Sequence, residues 1–295
     1  MKHFTLVFCL TLLLPLFVLA QLPNTNVYIL DLRANEEIVL LNKPVLLSGF
    51  NPNGYNNQPH FTSNSELLIT SDFESLGLTD ILKLDLSRKV ISRVTHTEES
   101  EYSPTGMLDQ NHLSVVRQEL DDSQPVPQTL WSYPLDRSHV GENLIPDHTD
   151  IGYHAWIDEE KVALFLVEDP SRLIIYDIGR KTSTYVGKNV GRCLKVDRDK
   201  NLYYIQNRED AGEIRKFDTY LGRSQKVISI KNDQRDFDLL PNGHLIIGDG
   251  AALKTSRPMI DSSWKTVVDL SSAGIVKITR IASTSGKVAI VTTDN

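Results

Sequence analysis

The chain repeats itself roughly every 44 residues, and that period constrains its fold more than any other feature. The segments SELLIT, NHLSVV, EKVALFLV, KNLYYIQ, GHLIIGD and GKVAIVT each follow a turn-like group of polar residues. With Leu68, Leu113, Val162, Leu202, Leu245 and Val288 taken as equivalent, the separations are 45, 49, 40, 43 and 43. A second marker falls between them: VYILDL, ILKLDL, LWSYPL, LIIYDI and IRKFDT, with RPMID as a degraded copy. Its positions Asp31, Asp85, Pro134, Asp177, Asp218 and Asp261 are spaced by 54, 49, 43, 41 and 43. Two independent markers with one period define a repeat architecture.

Each unit reads as strands. The apolar runs are short, rich in Val, Ile, Leu and Tyr, and bounded by Gly, Asn, Asp, Ser or Pro. No stretch of 11 or more residues carries a convincing helical period. A unit of this length with four short strands is a propeller blade, so the expected fold is an all-β, six-bladed β-propeller of four-stranded blades. Six units take up about 264 residues, which leaves no room for a seventh. The chain begins on the second marker without the first and ends on the first without the second. One blade is therefore expected to be shared between the N- and C-termini, which closes the ring and leaves no open sheet edge.

The first 20 residues read as a secretory signal peptide. Lys2 and His3 precede an almost wholly apolar run from Phe4 to Leu19, and Val18 and Ala20 occupy the −3 and −1 places of a cut before Gln21. The run is too short for the ~20 apolar residues of a bilayer span. Removing this segment and its single lysine leaves 275 residues, a net charge of −8 and one cysteine, Cys193. No internal disulfide can form, and no linker divides residues 21–295, which are expected to make a single domain. The expected protein is exported, periplasmic or extracellular, monomeric, and without a membrane span. With 31 basic and 38 acidic residues and no Lys/Arg cluster, it is a poor candidate for nucleic acid.

The turns and strand ends carry a resemblance. TSNSELLIT, MLDQNHLSVV, LLPNGHLIIG and STSGKVAIVT keep, in weakened form, an S/T-P-D-G-K-type turn, and several of the strands that follow end in Y/L-D-L. In these features the chain resembles the TolB-like family of six-bladed propellers, over essentially all of residues 21–295. With segments such as YHAWID and ITRIA it is also similar to exported bacterial propellers of unassigned function. The resemblance implies a protein-docking platform or a non-catalytic domain. TolB carries an α/β domain before its propeller, whereas only Gln21 to Asn26 precede the first expected strand here.

The start of each innermost propeller strand points into the central channel. Aligning the units puts Gln58, Ser103, His154, Arg192 or Cys193, Asp236 and Arg280 on that rim, with Asn57, Tyr102 and Tyr153 beside them. Two guanidinium groups over a narrow funnel suit a carboxylate or phosphate. The competing reading is that these polar residues satisfy one another and channel water. Both arginines are expected to be free enough that their replacement by Gln costs little stability.

Other signals are weaker. Asp147, His148, Asp150 and His154 mix imidazole and carboxylate donors, but their spacing matches no helical H-E-x-x-H motif. Asp197 to Asn201 opens like a calcium loop, yet Leu202 and Arg208 stand where Gly and Glu are required, so a turn is expected. Neither a G-x-S-x-G elbow nor a phosphate-binding G-x-x-x-x-G-K-[ST] loop occurs. Acid pairs such as Glu98-Glu99, Asp121-Asp122 and Glu159-Glu160 read as solvated turns. Cys193 reads as a buried inert thiol. The expected function is therefore a non-enzymatic platform for a protein or small anionic molecule at the funnel, with no cofactor. The alternative is a metal-dependent lactonase- or lyase-like enzyme in the central channel, which needs three or four converging ligands.

Overall fold

The computed structural model describes residues 22–293, apart from 76, 121, 122 and 124. The expected signal peptide and its cleavage site lie outside the described residues, as does the pair Asp121-Asp122. Five four-stranded antiparallel sheets and one sheet of four strands plus a short fifth form the six blades. Blade one combines Asn26–Ala34 and Val39–Leu41 from the N-terminus with Lys277–Ser283 and Lys287–Thr293 from the C-terminus. The innermost strands of blades two to six are Asn56–Phe61, Ser100–Gly106, Ile151–Trp156, Val190–Val196 and Phe237–Leu239. In blade one that place belongs to Lys277–Ser283.

Propeller blades have neighbours on both faces, so their central strands are apolar on both. Leu67, Leu68, Ile69 and Thr70 in blade two are all fully buried. Six apolar clusters fill the six gaps between neighbouring blades. The C-terminal strand shows how period-two alternation builds two of them. Its Val288 and Ile290 pack with Ile246 and Leu253 of blade six, while Ala289 and Val291 pack with Leu67 and Ile69 of blade two. In blade four the outermost strand is exposed along Thr182–Tyr185, none of which is buried, and its polar Thr182, Ser183 and Thr184 blunt an unpaired edge.

The turn expectations can be read from hydrogen bonds. Asp85 accepts from the amides of Ser87 and Arg88, and Asp218 from those of Tyr220 and Leu221. Asp197 accepts from the amides of Asp199 and Asn201 and from the Asn201 side chain, so the calcium-like segment is a turn. In LPNGHL, Gly243 sits at φ +81°, a left-handed conformation that glycine adopts without steric cost, and the turn closes through Leu240 N–H to the His244 carbonyl at 2.8 Å. Register corrects two of the repeat equivalences. Phe61 pairs with Leu67, so Leu67 rather than Leu68 matches Leu113 in its pairing with Gly106. In blade six Leu245 pairs with Ser256, which puts Arg257 at the place of the marker aspartates. Asp261 lies in the turn beyond and receives the Arg257 amide at 2.8 Å.

Between blades two and three one carboxylic acid is wholly enclosed. Glu101 accepts hydrogen bonds from Thr97 and Tyr133 and is 0% exposed. Burial pushes it up to about 7, Thr97 pulls the other way, and Asp80 adds to the rise. A carboxyl raised in the folded state binds its proton more tightly than in the unfolded chain. Its stabilisation is complete below about pH 4.5 and is lost as pH rises to about 7, amounting to about 3 kcal/mol. Thermal midpoints of the wild-type chain and of Glu101→Gln across pH 4.5–7.5 check this. The difference between the two chains should grow as pH rises, in favour of Glu101→Gln; a constant difference would contradict the assignment.

Candidate functional site

The inner strands are irregular where they meet the channel. Their ladders slip between Asn57 and His60, Tyr102 and Thr105, Ile151 and Tyr153, Val190 and Leu194, and Ile278 and Arg280. Gln58 and Ser103, each followed by proline, sit at φ +52° and +54°. Bulges and left-handed residues re-aim side chains at the cost of local strain.

Register from the inner hairpins defines the ring. Gln58, Ser103, Tyr153, Cys193, Asp236 and Arg280 stand at equivalent places, three residues before the end of each ladder. Tyr153 therefore occupies the place aligned to His154, because the ladder of blade four ends on the pair Trp156–Val162, three residues beyond Tyr153. His154 turns toward blade three instead, where its Nε2 lies 2.7 Å from Ser114 Oγ. Arg192 precedes the ring residue of its blade, and Tyr102 precedes Ser103; the backbone amide of Ser103 donates to Gln58 Oε1 at 2.9 Å.

The two arginines are not equivalent. Arg280 is 8% exposed; its guanidinium donates to Tyr153 Oη at 2.9 Å, approaches Asp236 at 3.4 Å and lies 5.0 Å from the Tyr153 ring centre. Asp236 also accepts the Ile281 amide at 2.9 Å. Burial opposes the Arg280 charge, but Tyr153 and Asp236 outweigh it and raise its pKa. Burial likewise pushes the Asp236 carboxyl up, against the pull of Arg280 and Lys195. For Tyr153, burial raises the phenol, yet the charges of Arg280 and Arg192 outweigh it and lower its pKa. Arg192 forms no side-chain hydrogen bond or ion pair among the described residues, and its buried Nε has no partner.

This layer separates two cavities. One, about 340 Å³, reaches from the ring to the hairpin turns and is lined by Thr105, Leu108 and Trp156 among others. The second, about 310 Å³, lies where the inner strands begin, against Arg235, Gly248, Gly250 and Lys277. Arg192, Asp236, Arg280 and Ile281 line both.

The larger cavity has a polar layer that the rim alignment omitted. Lys195 pairs with Asp238 at 3.0 Å, Ser283 donates to Asp238 at 2.8 Å, and His60 stands at the corresponding place in blade two. Period two from the rim would have found these positions: Gln58 leads to His60, Cys193 to Lys195 and Asp236 to Asp238. Burial, then the charge of Lys195, holds His60 down to about 4; burial, then His60, holds His154 down to about 3. Burial raises the Cys193 thiol, whose Sγ lies 3.2 Å from the Phe237 carbonyl oxygen.

The mixed acid–imidazole segment does not converge. His148 Nδ1 is 3.6 Å from Asp150 and its ring meets Tyr176 edge-on, whereas His154 faces Ser114. Among the described residues no group of three or more His, Cys, Asp or Glu side chains is placed to hold a metal ion. No helix among them is long and apolar enough to cross a membrane.

Comparison with solved structures identifies the fold. The chain superposes on TolB from Acinetobacter baumannii with a TM-score of 0.58 and 12% identity, over 90% of this chain and 63% of that one. It superposes on a protein described as a putative TolB from Agrobacterium tumefaciens with a TM-score of 0.62 and 10% identity, over 91% and 98% of the two chains. The propeller is thus TolB-like in fold, and the chain spans less than two thirds of the Acinetobacter protein. No family model and no curated protein matches the sequence.

Proposed function

We propose that this protein is exported and works, without catalysis of its own, as a binding platform that takes its ligand at the central channel. One observation carries the reading. Ser103 Oγ, His154 Nδ1, Arg192 Nε and Arg280 Nε are all buried without a hydrogen-bond partner, and all four residues line the same cavity. Buried polar atoms left unpaired cost free energy, so water or a ligand must complete them. The resemblance in the repeat motifs points the same way, toward a platform. The chemistry on the wall also favours binding over turnover. Two histidines held near pKa 3 and 4 are weak bases at neutral pH, and a thiol raised by burial is a poor nucleophile.

Photo-cross-linking in the native host tests the platform. A photoreactive residue replacing Leu108, which lines the channel mouth and is 53% exposed, should yield an adduct. The same residue replacing Tyr220, 95% exposed on an outer turn, should not. Adducts from the Tyr220 position alone would contradict the reading. Export has its own check: the intact mass of the secreted chain should correspond to a start at Gln21. A mature protein that still carries Met1 would contradict it.

A further inference from the structure

We propose that the cavity at the beginning of the inner strands of blades five, six and one is a site for a small dianion of the phosphomonoester kind. This deepens the platform reading and rests on it. The cavity is about 310 Å³, at the small end of ligand pockets, which span roughly 300–1,000 Å³. Four cationic side chains line it, Arg192, Arg235, Lys277 and Arg280, against two carboxylates, Asp233 and Asp236. Arg280 and Asp236 are spent on each other. Arg192, Arg235 and Lys277 form no side-chain hydrogen bond or ion pair among the described residues, and Asp233 offsets one of them. The cavity therefore holds two uncompensated positive charges inside a protein whose net charge is −7.

Two of these cations are more than solvated surface. The Nε atoms of Arg192 and Arg280 are buried and unpartnered, and the Arg280 side chain is 9% exposed. A guanidinium presents donors in a planar fork that matches two phosphate oxygens, and Arg192 is the one whose fork is free. Arg235 and Lys277 are exposed at the opening and supply charge around the remaining oxygens. Glycine keeps the wall close: a Cβ at Gly248 would come within 2.8 Å of Ile278 Cβ. A dianion restores neutrality where a neutral sugar would leave both charges unmatched.

Titration calorimetry of the intact exported chain tests this with glucose 6-phosphate, inorganic phosphate and glucose as probes. Glucose 6-phosphate and phosphate should bind saturably and glucose should not. Arg192→Gln should weaken glucose 6-phosphate about tenfold or more. Arg235→Gln and Lys277→Gln, both exposed and safe for folding, should each weaken it about threefold. Arg88→Gln, on an exposed turn of blade two, should change nothing. Equal heats for glucose and glucose 6-phosphate would overturn the proposal. So would a wild-type protein that takes up neither phosphate, or affinity unchanged in the Arg235 and Lys277 variants. Failure here with a cross-link at the Leu108 position would leave the platform standing and remove only the dianion.

Discussion

A chain ending at Ser283 will not fold. The missing strand, Lys287–Thr293, is the central ladder of blade one. It pairs with Asn26 to Asp31 on one side and with Lys277 to Ser283 on the other. Val288, Ala289, Ile290 and Val291 are all fully buried and divide between two inter-blade clusters. Their removal breaks two ladders, opens blades two and six, and exposes strand edges to aggregation. Each large aliphatic side chain lost from such a site costs about 2–5 kcal/mol. With two ladders lost as well, the total exceeds the ~5–15 kcal/mol that holds a typical domain together. Circular dichroism and sedimentation of the truncated chain should report aggregation or an unfolded baseline. A soluble chain with the wild-type thermal midpoint would refute closure by the termini.

Replacing Arg280 with Ala should be the most damaging single change at the channel. It would leave Asp236 buried with only the Ile281 amide, and strip Tyr153 Oη of its 2.9 Å donor. Breaking a buried pair from one side costs about 3–5 kcal/mol, and the thermal midpoint should fall by roughly 10 °C. Removing Asp236 as well, as Arg280→Met with Asp236→Leu, should recover part of that loss, because no lone charge remains. Arg192→Gln should stay within about 1 kcal/mol of wild type, since no partner is orphaned. Thermal melts of the four chains decide the matter. Equal losses at Arg192 and Arg280 would contradict the division of labour drawn from their contacts.

That division marks where sequence reasoning stops. Blade count, blade length and the split blade were legible, because two markers with one period survive small errors of alignment. Leu67 for Leu68 and Arg257 for Asp261 are such errors, and neither altered the architecture. The rim is less legible. The ladder of blade four ends on the pair Trp156–Val162, which puts Tyr153 rather than His154 on the ring, and the turn between them does not mark that last pair in the sequence. A count that is off by one residue selects the other face of the strand. The pairing of Arg280 with Asp236 and Tyr153 joins residues 44 and 127 positions apart, and only the ring brings them together. Sequence could supply two arginines on one rim; which of them is engaged is a property of cross-blade distance. Arg235 and Lys277 are ordinary surface residues in the sequence, and become part of a site only because blades six and one meet there.

Hydrogen exchange measured with and without glucose 6-phosphate tests most directly the claim that the ligand is met at the channel. Ligand should slow exchange in three segments that wall one cavity: residues 190–194, 233–237 and 277–281. Outer strands, such as Thr182–Lys188 and Arg223–Ile230, should exchange at unchanged rates. Protection confined to those outer strands would contradict the account, and no protection anywhere at saturating glucose 6-phosphate would remove the dianion site from it.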